Sequence, residues 1–174
     1  MTLPTDAAKF DYTARALHWI SACVILWALL SGFYMAVFEL DTPTKTTLSR
    51  FNVALTFVYC PVFIWRVVHR VMCPPPAQIT TLKPHQARLA SAAHVAIYLL
   101  TALVLCSGVL MMEHPFSIFG WFFVPPVLSD AQALDWFARL HLSCNILLLL
   151  MVTLHILAVV KHQLSGRAVL RRML

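Results

Sequence analysis

Between Ile146 and Val160 the chain reads ILLLLMVTLHILAVV, with Thr153 and His155 as its polar interruptions. Extended back to Phe137, the run has about the 20 apolar residues a helix needs to cross the hydrocarbon core of a bilayer. Three other stretches meet the same requirement. The pattern predicts transmembrane helices at about Leu17–Phe38, Phe51–Met72, Ser91–Met112 and Phe137–Val160. This is an all-α integral membrane protein, expected as one four-helix up-down bundle over residues 1–174. Composition leaves little alternative. With 60% hydrophobic residues, 11% charged and a mean hydropathy of +0.78, a soluble domain of this size cannot hide its apolar surface.

The formal charge of +6 does not imply nucleic acid, because the basic residues sit at the ends of apolar segments. Lys9, Arg15, Arg66, Arg70, Lys83, Arg88, Lys161, Arg167, Arg171 and Arg172 fall on one side of the bundle, ten of the thirteen cations. Lys45, Arg50 and Arg139 fall on the other, among Glu39, Asp41, Glu113, Asp130 and Asp135. An excess of Lys and Arg marks the cytoplasmic side, so both termini are expected in the cytoplasm. The first span is too long, and lacks a small-residue cleavage site, to read as a signal peptide. Its partner is the lipid bilayer.

The connections carry turn signals. Glu39–Arg50 is expected as a short external loop with Asp41 and Pro43 as turn residues. Cys73–Lys83 contains Pro74-Pro75-Pro76, a stiff polyproline stretch that ends the second helix. His114–Asp135 carries Pro115, Pro125, Pro126 and the aromatics Phe116, Phe119, Trp121, Phe122 and Phe123, expected in the outer interface. Pro61 predicts a kink and frees the Phe57 carbonyl. Cys23, Cys60, Cys73, Cys106 and Cys144 form no CxxC or CxxCH pattern. They read as small packing residues, with neither a disulfide framework nor a covalent haem.

Histidine inside a span is costly to leave unpaired. His141 and His155 are fourteen residues apart, which puts them within about 40° of one helix face and about 21 Å apart along the axis. One helix thus offers an inward imidazole toward each side of the membrane, the spacing wanted for two stacked haems. His18, in the first turn of the first span, matches the depth of His155, and a haem iron takes two imidazoles on opposite faces. Two packing histidines bonded to backbone carbonyls remain the alternative. His69, His85 and His162 lie near helix ends, where headgroups or solvent meet them. At the depth of His141 the second helix holds Asn52, a poor ligand for haem iron. Three arrangements stay open there: a haem held by His141 with a weak or absent sixth ligand, a replacement ligand such as His114, or no outer haem. A vacant sixth position admits a small molecule.

The pieces FDYTARALHW (Phe10–Trp19), RVVHR (Arg66–Arg70) followed by prolines, AHVAIY (Ala93–Tyr98) with Ser107-Gly108, the two histidines of the fourth helix and AVLRRML (Ala168–Leu174) occur in this order. Together they resemble the bacterial cytochrome b561 family, small four-helix quinone-linked membrane cytochromes that include superoxide oxidase. The resemblance implies a bacterial inner-membrane protein in which His18 and His155 bind the cytoplasmic-side haem b and His141 binds an outer one. The family's second outer ligand is a histidine fourteen residues before the arginine matching Arg66; this chain has Asn52. Cys106 stands near a family proline. His94 matches a family histidine, read here as a neighbour of a haem propionate or quinone, or as plain packing. Arg15 and Arg66 read either as propionate partners or as side chains snorkelling to headgroups. The function implied is one-electron exchange between the quinone pool and a partner protein or small redox substrate. Superoxide oxidation coupled to ubiquinone reduction is one family activity. The alternative is a haem-bearing anchor or electron-transfer subunit, docked through the aromatic loop and without a substrate of its own. A haem-free structural protein is the third reading.

Overall fold

The computed structural model describes residues 9–73, 76, 84–166 and 169–174. Four helices, α1 (Tyr12–Val37), α2 (Thr42–Met72), α3 (Pro84–Leu110) and α4 (Ala131–Leu164), alternate in direction, with a small hairpin between the last two. In lipid every backbone polar group must be satisfied within the chain, which long helices achieve. All four are long and apolar enough to span a membrane. At 1.5 Å per residue, α4 with its 34 residues is about 51 Å long and overshoots a hydrocarbon core of roughly 30 Å.

Aspartates set three of the helix starts. Asp11, Asp41 and Asp130 each accept a hydrogen bond from the amide three residues on, at 2.9, 3.1 and 2.8 Å. Each thereby satisfies one of the amides a helix leaves unpaired at its N-terminus. Here the expected external loop fails. Asp41 is the cap of α2 and Pro43 sits in its first turn, where a missing N–H loses nothing. Residues Thr42–Arg50 are helical, and the connection shrinks to four residues, 38–41. The other helices also begin before their apolar runs, at Tyr12, Pro84 and Ala131, and α3 stops at Leu110 rather than Met112. Polar first turns do not register as apolar sequence; the caps place them. α2 continues through Pro61. Pro74, Pro75 and residues 77–83, with the polyproline reading placed on them, lie outside the described residues.

The bundle is two helical hairpins. α1 packs along α2 and α3 along α4, with a lesser seam between α2 and α3. Small hydroxyl residues fill the tightest positions: Ser21 and Ser107 are fully buried, Ser31 and Thr101 nearly so. Each donates back to the carbonyl four residues earlier, at 2.6, 2.5, 2.7 and 2.7 Å. Small residues that hold their own hydrogen suit helices packing where no hydrophobic drive separates core from lipid. Large apolar side chains such as Leu30, Ile64, Leu99 and Leu157 point outward. The cysteines correct their expected role in part. All are free thiols, but only Cys144 is buried, while Cys23, Cys73 and Cys106 are exposed on the bundle's outer surface.

The aromatic loop forms an antiparallel hairpin, β1 (Phe116–Ile118) and β2 (Phe122–Val124), in which Phe116 faces Val124. Its turn places Phe119 and Gly120 at φ +48° and +81°, with the Trp121 amide bonded to the Ile118 carbonyl at 2.9 Å. Trp121, Phe122 and Phe123 are exposed, as interfacial anchors would be, but Phe116 is buried. Its ring lies 5.4 Å from Phe57, so one strand closes the end of the bundle. At the opposite end the two ends of the chain meet. The Phe10 amide bonds Arg172 O at 3.1 Å and Trp19 Nε1 bonds Met173 O at 2.9 Å.

Candidate cofactor sites

At the end carrying the chain termini, every helix contributes a polar side chain. His18 comes from α1, Arg66 from α2, His94 and Tyr98 from α3 and His155 from α4. The rings of His94 and His155 meet edge to face with centroids 5.2 Å apart, and His18 lies within electrostatic reach of both. His94 and Tyr98 are four residues apart, so one helix face presents both. Arg66 ties the group together: Nε donates to the Tyr98 hydroxyl at 3.0 Å, Nη2 lies 3.2 Å from His18 Nδ1, and the guanidinium sits 5.0 Å above the Tyr98 ring. A guanidinium only donates. His18 Nδ1 is therefore the acceptor here, and Nε2 carries the proton.

Among the described residues, three buried polar atoms in this half have no hydrogen-bond partner: Arg15 Nε, the Tyr59 hydroxyl and Gln163 Oε1. Arg15 precedes His18 by one helical turn, and another of its nitrogens reaches the Leu174 carbonyl. Buried unpaired polar atoms are rare, and a further bound group is one explanation for them. His69 pairs with Asp11 at 3.4 Å, so a partner within the chain replaces the headgroup or solvent contact expected for it. His85 is exposed.

At the hairpin end lies a cavity of about 380 Å³, lined from all four helices and by Phe116. His141 and Asn52 both face it. His141 Nδ1 is 3.1 Å from the Val104 carbonyl and 3.1 Å from Ser107 Oγ. The Ser107 hydroxyl already gives its hydrogen to Leu103 O, so both neighbours accept and Nδ1 carries the proton. Nε2 is left as a bare lone pair, the arrangement a metal-ligating histidine adopts when its other nitrogen bonds a carbonyl. Gly108 makes room: a Cβ there would lie 3.1 Å from His141 Cε1. On the α2 wall, Asn52 Oδ1 accepts at 3.3 Å the longer arm of a Ser31 hydroxyl that it shares with Trp27 O, and no acceptor among the described residues takes the hydrogens of its NH2. His114 is exposed and is not among the residues lining the cavity.

The two ends are rungs of one ladder. The fourteen-residue interval of His141 and His155 recurs as Asn52 and Arg66 on α2, His94 and Gly108 on α3, and His18 and Gly32 on α1. Each helix thus brings one face to both sites. Gly32 and Gly108 line the hairpin-end cavity, and this interval is the sequence signal that would have found them. Ser31 and Tyr59 had no such signal, while Tyr98 and Ser107 entered only as members of the motifs that carry the resemblance.

Comparison with known proteins bears on both ends. The family model for prokaryotic cytochrome b561 matches residues 9–174. The chain is also 27% identical over 179 residues to cytochrome b561 homolog 2 of Escherichia coli (strain K12), across all of this chain and 95% of that protein.

Proposed function

The chain belongs to the prokaryotic cytochrome b561 family and is a multi-pass bacterial membrane protein that transfers electrons through haem b; from that premise we propose that it exchanges them between the quinone pool and a partner protein or small redox substrate. Oxidation of superoxide with reduction of ubiquinone is one such exchange. The observation that carries the reading is the convergence of His18, His94, His155 and Arg66 from four helices.

The residues at the terminal end fit a haem. His18 and His155 would hold the haem iron in this reading, and the unpartnered Arg15 Nε would suit a propionate carboxylate, for which a guanidinium is a strong donor. Haem b supplies reversible one-electron chemistry when bound. The chain's residues do the rest. The bundle excludes water, His94 stands beside the site as neighbour to a propionate or quinone, and Arg66 stabilises added negative charge. His18 would offer Nε2 to the iron as the tautomer with its proton on Nδ1, the nitrogen that Arg66 Nη2 now meets at 3.2 Å, and Arg66 would then be available to a carboxylate. His141 holds the corresponding place at the hairpin end. The concentration of Lys and Arg at the terminal end supports cytoplasmic termini.

The test is quinol-dependent reduction of the purified protein, followed in the visible spectrum. A low-spin b-type spectrum that quinol reduces is expected from the wild type. His155→Ala should abolish that component at the terminal end, whereas His94→Ala should retain it and change its quinol dependence. No reduction until a partner protein is added would favour the anchor-subunit reading. A low-spin signal unchanged in His155→Ala would refute the ligand assignment.

A further inference from the structure

Among the described residues, the hairpin-end cavity offers one imidazole lone pair and a free amide donor, and no second imidazole. His141 Nε2 is bare because Nδ1–H is shared between Val104 O and Ser107 Oγ. The other polar groups of the lining are largely committed. Thr56 Oγ1 bonds the Asn52 and Val53 carbonyls, Cys60 Sγ the Thr56 carbonyl, and Asn145 Nδ2 the His141 carbonyl. Asn52 remains: its Oδ1 accepts from Ser31 Oγ at 3.3 Å, and among the described residues nothing accepts from its NH2. An amide nitrogen has no lone pair to offer a metal; it donates. The volume of about 380 Å³ falls in the range of roughly 300–1,000 Å³ typical of cofactor sites.

We propose that this site holds haem b through His141 alone and keeps the other axial position open to a diatomic ligand, to which the Asn52 amide donates a hydrogen bond. The inference rests on the reading of the chain as a haem b protein and adds a ligand-binding activity to it. An apolar wall and one donor are what a small polarised ligand needs. The wall comes from Phe33, Phe57, Val104 and Phe116, and the donor from Asn52.

Carbon monoxide and cyanide are the probes, applied to the full-length protein in detergent, with haem per chain measured alongside. The reduced protein should show one low-spin component indifferent to carbon monoxide and a second that binds it. His141→Ala should remove the reactive component alone. Asn52→His should convert it to a low-spin, unreactive form with haem content unchanged. Asn52→Leu should keep carbon monoxide binding but weaken cyanide binding to the oxidised protein about tenfold or more, as expected for a lost hydrogen bond to a charged group. One haem per chain with no reactive component would overturn the proposal. So would two low-spin haems, which would mean a thioether from Met35, Met111 or Met112 completes the site. Unchanged cyanide affinity in Asn52→Leu would remove Asn52 from it. Loss of the unreactive component from the wild type would count against the terminal-end ligands instead, leaving this site to be judged on its own signal.

Discussion

Gly108→Ala separates what holds the bundle together from what seats His141. A Cβ at position 108 would lie 3.1 Å from His141 Cε1 and 3.5 Å from Nδ1. Non-bonded carbons are at ease at about 3.5–4.0 Å, so the imidazole must retreat by about 0.4–0.9 Å. It is pinned at 3.1 Å to both Val104 O and Ser107 Oγ, and a retreat of that size stretches those contacts to about 3.5 Å or more, past a working hydrogen bond. Leaving the buried Nδ1–H unpaired costs about 1–3 kcal/mol. Replacing glycine within a helix returns about 1 kcal/mol. The net destabilisation is about 0–2 kcal/mol, small enough for the bundle to fold, while the Nε2 lone pair no longer points where it did. Purified Gly108→Ala should therefore keep the low-spin component and lose or alter the one dependent on His141. Gly32→Ala is the control, since it lines the same cavity and its Cβ would meet nothing within 4 Å. If Gly108→Ala has the wild-type spectrum and carbon monoxide affinity, the close approach of α3 does not seat the ring.

Two further outcomes follow from the structure. The Thr44 hydroxyl and amide hold the Asp41 carboxyl below the usual carboxylate range. Its contribution to α2 is present above the unfolded aspartate value of about 3.9 and is lost as pH falls through the lower folded value. Thermal unfolding in acid should thus weaken the wild type relative to Asp41→Asn, whose cap does not titrate; parallel acid profiles would show that the cap carries no linkage. Phe116 is 8% exposed and rests on Phe57, so Phe116→Ala should cost about 3 kcal/mol, the low end for a core phenylalanine, because the hairpin is peripheral. Chemical denaturation in detergent measures the loss, and the hairpin-end signal should broaden as its cavity opens. A loss under about 1 kcal/mol would mean the strand does not close the bundle.

The long apolar runs made four spans unavoidable, because lipid tolerates few other backbone solutions. The depth of a histidine follows from helical rise alone, which is why His18 and His155, and His141 by itself, were legible without coordinates. Helix starts were not. Asp11, Asp41 and Asp130 look like ordinary loop acids until a backbone amide is seen beneath each. Lateral neighbours were hidden too, since periodicity gives a face and a height but not which helix stands opposite. Only the packed bundle set His94 against His155, laid Arg66 between Tyr98 and His18, folded Phe116 over the cavity, and brought Val104 O and Ser107 Oγ close enough to fix a tautomer of His141. Those contacts join residues 32 to 61 positions apart. They depend on how helices pack, and no local pattern in the chain encodes that.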